Sequence, residues 1–98
     1  MRSLARSLVL EEGIVTTIAK AKELRPFVER LVTQAKKNTV ASQRTLSTRL
    51  GGAADAVKKL HGTLAPRYID RNGGYTRIVR LGQIGKQATE SARIEFVK

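Results

Sequence analysis

Apolar residues recur along this chain with two distinct periods, and the change from one to the other divides it. Leu4 and Leu8 share a helical face, Ser3 is placed to cap the turn that carries them, and the helix is predicted to close near Glu12 with Gly13 as its C′ residue. Ile14 to Ile18 is a β-branched run and reads as a short strand. Leu24, Val28, Leu31, Val32 and Ala35 then fall on one stripe, predicting a helix from about Lys20 to Lys37. Pro26 inside it predicts a kink or a later start, because proline removes a backbone donor and crowds the preceding turn.

Asn38-Thr39 offers capping chemistry ahead of a third, weakly amphipathic helix from Val40 to Leu50, which Gly51-Gly52 ends. Ala53 to Leu64 reads as a fourth helix. Ala53, Val57, Leu60 and Leu64 form its inner face, Asp55 sits near its positive end, and Pro66 marks its exit. Beyond Asp70-Arg71-Asn72-Gly73-Gly74 the period falls to two. Tyr75 to Leu81 and Ala88 to Val97 read as strands joined by residues 82–87, with Ala92, Ile94 and Phe96 inward and Arg93 and Glu95 outward. The order α-β-α-α-α-β-β predicts an α+β fold: a small three-stranded mixed sheet with helices packed on one face. Its other face, polar and basic by alternation, stays wet or meets a partner.

The chain of 98 residues makes one domain, residues 1–98, and 41% hydrophobic content is enough for it to fold. Four aromatics leave the core to Leu, Val, Ile and Ala. The opening ten residues hold two Arg, two Ser and no acid, a composition shared with organelle transit peptides; the Leu4/Leu8 spacing favours the first helix of the domain instead.

Charge changes the picture most. Lys and Arg number 19 against 8 Asp and Glu, a net charge of +11. Such a surface attracts polyanions and releases their counterions, and nucleic acid is the expected partner. The surplus concentrates between Lys36 and Lys86, and from Arg67 to Arg80 the cations are all Arg: Arg67, Arg71, Arg77 and Arg80. Arg matches phosphate and stacked bases, and Tyr68 and Tyr75 interleave with it, the mixture expected where unpaired RNA bases stack on side chains. Gly73-Gly74 ahead of Tyr75-Thr76-Arg77 would let a phosphate approach backbone N–H groups, with the cations converging around the glycine pair; an ordinary glycine turn explains the same residues. Thr16-Thr17 with Lys20 and Lys22 is a second candidate clamp for a sugar-phosphate backbone, equally explained by strand propensity.

Catalytic chemistry is sparse. There is no Cys, and His61 is the only His, so no thiolate or paired-His metal site can form. Glu11 and Glu12 are adjacent and point to different helix faces, unlike an acid/base pair. No phosphate-loop or dinucleotide fingerprint occurs, no helix-turn-helix or zinc-finger pattern favours duplex DNA, and no basic amphipathic helix favours a membrane. A non-enzymatic RNA binder without cofactor or metal is expected. A basic nucleic-acid architectural protein, or a small ribonuclease using His61, are the alternatives.

Thr16-Thr17 followed by Lys20-Ala21-Lys22-Glu23-Leu24-Arg25, then Ala65-Pro66-Arg67-Tyr68 and Gly73-Gly74-Tyr75-Thr76-Arg77-Ile78, resemble the L-seventeen family of bacterial large-subunit ribosomal proteins, in order from Arg2 to Val97. The resemblance implies an α+β structural protein that binds 23S-type rRNA near the exit of the peptide tunnel of the cytoplasmic ribosome. Neighbouring ribosomal proteins would be its other partners; membrane, small-molecule substrate and homo-oligomer are not expected. With the basic residues, it marks Arg2, Arg6, Thr16, Thr17, Lys20, Lys22, Arg44, Arg67, Arg71, Gly73, Gly74, Tyr75, Thr76, Arg77 and Arg80 as rRNA-facing or site-shaping. Family members carry a preceding arm rich in Arg, His and Lys, whereas this sequence opens at the segment Arg2-Ser3-Leu4, with the arm lost in this lineage or cut away.

Overall fold

A computed structural model describes residues 2–37, 39–83 and 90–97. The elements are α1 (Arg2–Glu11), β1 (Gly13–Thr17), α2 (Ile18–Lys37), α3 (Val40–Arg49), α4 (Ala54–Lys59), a π-helical turn (Leu60–Leu64), α5 (Ala65–Arg67), β2 (Thr76–Gln83) and β3 (Glu90–Phe96). The α+β order is the one the periodicity predicts. Most of the predicted 82–87 connection and the start of the last strand at Ala88 lie outside the described residues.

The sheet has the order β1-β3-β2 and both pairings are antiparallel, so it is not mixed. β1 and β2 run the same way, but β3 inserts between them and removes the only parallel pairing the order would allow. Ala92 and Ile94 of β3, with Phe96, turn inward onto the helices, as the alternation requires.

α2 is the central element. Leu24, Val28, Leu31, Val32 and Ala35 are all buried, with Ala21 extending the stripe by one turn. The helix begins at Ile18, two residues earlier than expected, because Thr17 caps it: the Lys20 N–H donates to Thr17 Oγ1 at 3.3 Å. It also runs through Pro26, which lies on the exposed side.

Local chemistry sets the other boundaries. α1 begins at Arg2, so Ser3 lies inside it, and the left-handed residue after it is Glu12 at φ 64°, not Gly13. Two tethers hold Glu12 there: its N–H donates to the Leu8 carbonyl at 2.7 Å, and its own carbonyl accepts from the Phe96 N–H at 2.9 Å. α3 opens on a capping box in which Thr39 and Ser42 satisfy each other's backbone N–H groups. It closes through Gly51 and Gly52 at φ 67° and 79°.

The fourth helical segment departs most from expectation. Its ladder widens to π spacing over Leu60–Leu64, with the Ala65 N–H reaching the Leu60 carbonyl, and then continues past Pro66 to Arg67. The widened turn opens room for the Pro66 ring against the carbonyl one turn earlier. Ala56, Leu60 and Leu64 form the buried face, while Ala53 and Val57 sit only half-buried beside it. One cluster of Leu, Val, Ala and Ile closes the core, with Tyr68, Tyr75 and Phe96 at one end.

Candidate nucleic-acid interface

The glycine loop leading into β2 is ordered from within. Gly73 and Gly74 hold φ 96° and 66°, and a Cβ on either would meet nothing within 4 Å, so backbone conformation and not crowding requires glycine there. The Gly74 N–H does not wait for a phosphate. It donates to Glu29 Oε1 of α2 at 3.3 Å, and Thr76 Oγ1 donates to Glu29 Oε2 at 3.0 Å. An internal carboxylate thus takes the place that the sequence reading gave to an anion.

Tyr68 and Tyr75 do not offer stacking faces either. They are 2% and 1% exposed, with ring centroids 5.1 Å apart, and Tyr68 lies 6.3 Å from Phe96. The Tyr68 hydroxyl donates to the Val97 carbonyl and the Tyr75 hydroxyl to the Arg71 carbonyl at 3.1 Å. A small domain without Trp uses these rings as core, with each polar tip partnered. Lys36 reaches the same knot, donating to Tyr75 Oη at 3.0 Å and to the Arg71 carbonyl, with its ammonium 5.1 Å from the Tyr75 ring centroid.

Arg67 and Arg77, two of the arginines expected around the glycine pair, turn to carboxylates instead. Arg67 pairs with Glu12 at 2.5 Å, and Lys59 meets the same carboxylate at 3.2 Å while donating to the Leu10 carbonyl at 2.8 Å. That cluster ties the end of α1 to the fourth helical segment. The Arg67 hydrogen bond, joined by the Lys59 ammonium, holds the Glu12 carboxyl below its ordinary range against the opposing effect of burial. Arg77 points to the outer face of the sheet and pairs with Glu95 at 3.0 Å, and Arg93 shares that carboxylate at 3.4 Å. Arg93 also lies across Gly13, where any Cβ would collide with its guanidinium. Val15, Val79 and Leu81 are exposed on this part of the molecule, so the outer face is more apolar than the alternation suggests.

The two candidate clamps stand apart. Gly13, Glu95 and Arg77 form one row across the sheet, and Thr17, Ser91 and Gly82 form another, about 13 Å further along the strands. The Thr16–Lys22 segment therefore lies at the opposite end from the glycine loop. Arg80 stands at the same level across β3, because Thr16 and Arg80 both pair with Ala92. Lys20 and Lys22 are exposed in the first turns of α2, where no acidic residue in the first turn offsets the positive end of the helix dipole, so this end carries uncompensated positive charge.

The remaining candidates sit on the helices. Arg6 pairs with Asp55 at 2.8 Å, an exposed link from α1 to α4. Arg2 lies by Gly51. Arg44 lines an open groove of about 720 Å³ between α3 and α4 with Lys58 and the half-buried His61. His61 Nε2 is buried without a hydrogen-bond partner among the described residues. Arg71 is exposed beside the glycine loop.

Sequence reasoning passed over a second groove, of about 290 Å³, beside that loop. Arg30 and Lys37 of α2 and Arg49 of α3 line it together with Glu29, Gly73 and Tyr75. No short motif joins these residues; only the seven-residue spacing of Arg30 and Lys37, which puts both on one side of α2, could have signalled it. Among the described residues no cluster of three metal-ligating side chains occurs, and no helix is long and apolar enough to cross a membrane.

Comparison with known proteins agrees with the basic, non-catalytic surface. The family described as Ribosomal protein L17 matches residues 1–97. A Large ribosomal subunit protein bL17 from Hydrogenobaculum sp. is 54% identical over 99 residues, covering 100% of this chain and 83% of the relative. Those from Anaplasma marginale and Sphingopyxis alaskensis are 52% and 51% identical, over 99% and 98% of this chain and 75% and 68% of the relatives. A match over nearly every residue, joined to identity above half, shows that this chain belongs to the ribosomal protein L17 family, a family of structural ribosomal proteins and not of enzymes.

Proposed function

We propose that this protein is a structural constituent of the large ribosomal subunit that binds folded 23S-type rRNA near the peptide tunnel exit, beside neighbouring ribosomal proteins of the cytoplasmic ribosome. The observation that carries the reading is the surplus of exposed cations left over once the fold's own ion pairs are made. Asp55, Glu12, Glu29 and Glu95 engage Arg6, Lys59, Arg67, Arg25, Arg77 and Arg93. Lys20, Lys22, Arg30, Lys37, Arg44, Arg49 and Arg71 enter no ion pair with a described carboxylate, and they cover both ends of the molecule. Folding does not use these charges; a polyanion does. The relatives' names supply the subunit.

The internally engaged residues take a supporting role here. Glu29, Gly74, Thr76 and Tyr75 shape the loop, and Thr17 caps α2, so that the cations stand in fixed positions against one folded RNA. Arg67 and Arg77 are tied at the surface and can still meet a phosphate from outside. Sedimentation tests the proposal: the protein should travel with large subunits after a high-salt wash. Travelling free, or shifting duplex DNA as readily as RNA, would favour an architectural protein outside the ribosome.

A further inference from the structure

We propose that the groove between α2, α3 and the Gly73-Gly74 loop holds a single phosphate of an unpaired RNA strand, gripped jointly by Arg30, Lys37 and Arg49. The inference rests on the RNA-binding reading above and adds to it a site that none of the sequence motifs marked. Arg30 and Lys37 stand seven residues apart on α2, about 10 Å along its axis and nearly on one line, so two long side chains can close on a point between them. Arg49 approaches from the last turn of α3 across the groove. All three are exposed, and none enters a salt bridge with a described carboxylate.

The groove's one acid does not cancel them. Glu29 accepts from the Gly74 N–H and Thr76 Oγ1 at the start of β2, and from Arg25 Nε of its own helix at 3.4 Å, so its oxygens already face donors. At about 290 Å³ the space lies at the lower end of small-ligand clefts, near 300 Å³, room for a nucleotide and not for a duplex. A site of this size suits one nucleotide of a splayed strand, because the backbone and bases of unpaired loops and ends can be drawn out singly whereas a duplex is met across its wide minor groove. Open space around Gly73 lets the strand run close to the backbone at the rim.

Convergence on one phosphate has a signature. Each phosphate neutralised on single-stranded RNA contributes about 0.7 to the slope of log affinity against log salt, so three cations on one phosphate and three cations on three phosphates differ in slope. Binding of in vitro transcribed large-subunit rRNA is measured across salt for the wild type and for Arg30→Ala/Lys37→Ala/Arg49→Ala. The triple variant should bind about tenfold or more weakly at a fixed salt, a loss typical of charge-assisted hydrogen bonds, while its slope falls by only about 0.7. Unchanged affinity would overturn the groove, and so would a slope lower by about 2, which means three separate phosphates. If the wild type itself does not bind, the RNA reading fails first, and the two failures stay distinct. Arg49→Ala alone, exposed at the end of its helix, should lose affinity severalfold with a slope change no larger, and it decides the matter if the triple variant does not fold.

Discussion

Glu29 of α2 and Thr76 of β2, 47 residues apart in sequence, are joined by a hydrogen bond of 3.0 Å from the Thr76 hydroxyl to the Glu29 carboxylate. Thr76 is buried, and the other carboxylate oxygen accepts the Gly74 N–H, so one side chain fixes both the loop and the first residue of the strand. Glu29→Ala leaves a buried hydroxyl and a backbone donor unpaired, at a cost of about 1–3 kcal/mol. In thermal unfolding the midpoint should fall by about 4–8 °C for each kcal/mol lost in a domain of this size. Thr76→Val, which keeps the shape and removes one bond, should cost about 1 kcal/mol. An unchanged midpoint for Glu29→Ala would show that the loop holds itself.

Glu12 combines an unfavourable backbone with favourable charges. Its left-handed φ costs about 1 kcal/mol or more in a residue with a Cβ, whereas its partly exposed pairs with Arg67 and Lys59 return about 1 kcal/mol at most. Glu12→Gly should therefore be close to neutral, and Glu12→Gln, which keeps the strain and loses the charge, should be the less stable of the two. The carboxyl's folded pKa lies below its ordinary value of 4.5, so the pairing stabilises fully above that value and is lost as pH falls through the depressed one. Chemical denaturation from pH 6 down to about pH 3 should bring the wild type and Glu12→Gln together at the acid end. A gap that widens toward acid would reverse the sign.

Two glycines should answer differently to alanine. Gly74→Ala forces a Cβ into the left-handed region at a cost of about 1–2 kcal/mol, although nothing obstructs it. Gly13→Ala meets only the tip of Arg93, which can swing aside, and alanine is the better strand residue by about 0.5–1 kcal/mol. Urea midpoints should separate the pair, with Gly13→Ala within about 0.5 kcal/mol of the wild type. Equal losses would place the collision, not the conformation, in control.

Arg77 is largely exposed and, among the described residues, its ion pair is with Glu95, so Arg77→Ala should leave the thermal midpoint nearly unchanged. If Arg77 meets RNA from its place on the outer face, incorporation into large subunits should still weaken. Parallel loss of stability and incorporation would make it a structural residue.

Much of this architecture could be read from local periodicity. The α2 stripe, the inward residues of β3 and the breaks at Thr39 and Gly51-Gly52 follow from spacing and capping, which act within a few residues. The π turn could not, because it answers to the Pro66 ring inside a packed segment, and it rotates the buried face from Ala53 and Val57 to Ala56. The sheet order depends on β3 inserting between strands far apart in sequence. In the site, the Arg-Tyr mixture suggested stacking on bases, but Tyr68 and Tyr75 serve a core short of aromatics. Glu29, Arg30, Lys37 and Arg49 come together only through the packing of α2, α3 and the glycine loop, which no local pattern encodes.

The central claim is that exposed cations unused by the fold exist to neutralise RNA phosphates. Affinity for large-subunit rRNA, measured between about 50 and 200 mM salt, tests it most directly. With about 6 to 10 phosphates neutralised, binding should weaken by about a thousandfold or more over that range; affinity that stays flat would contradict the account.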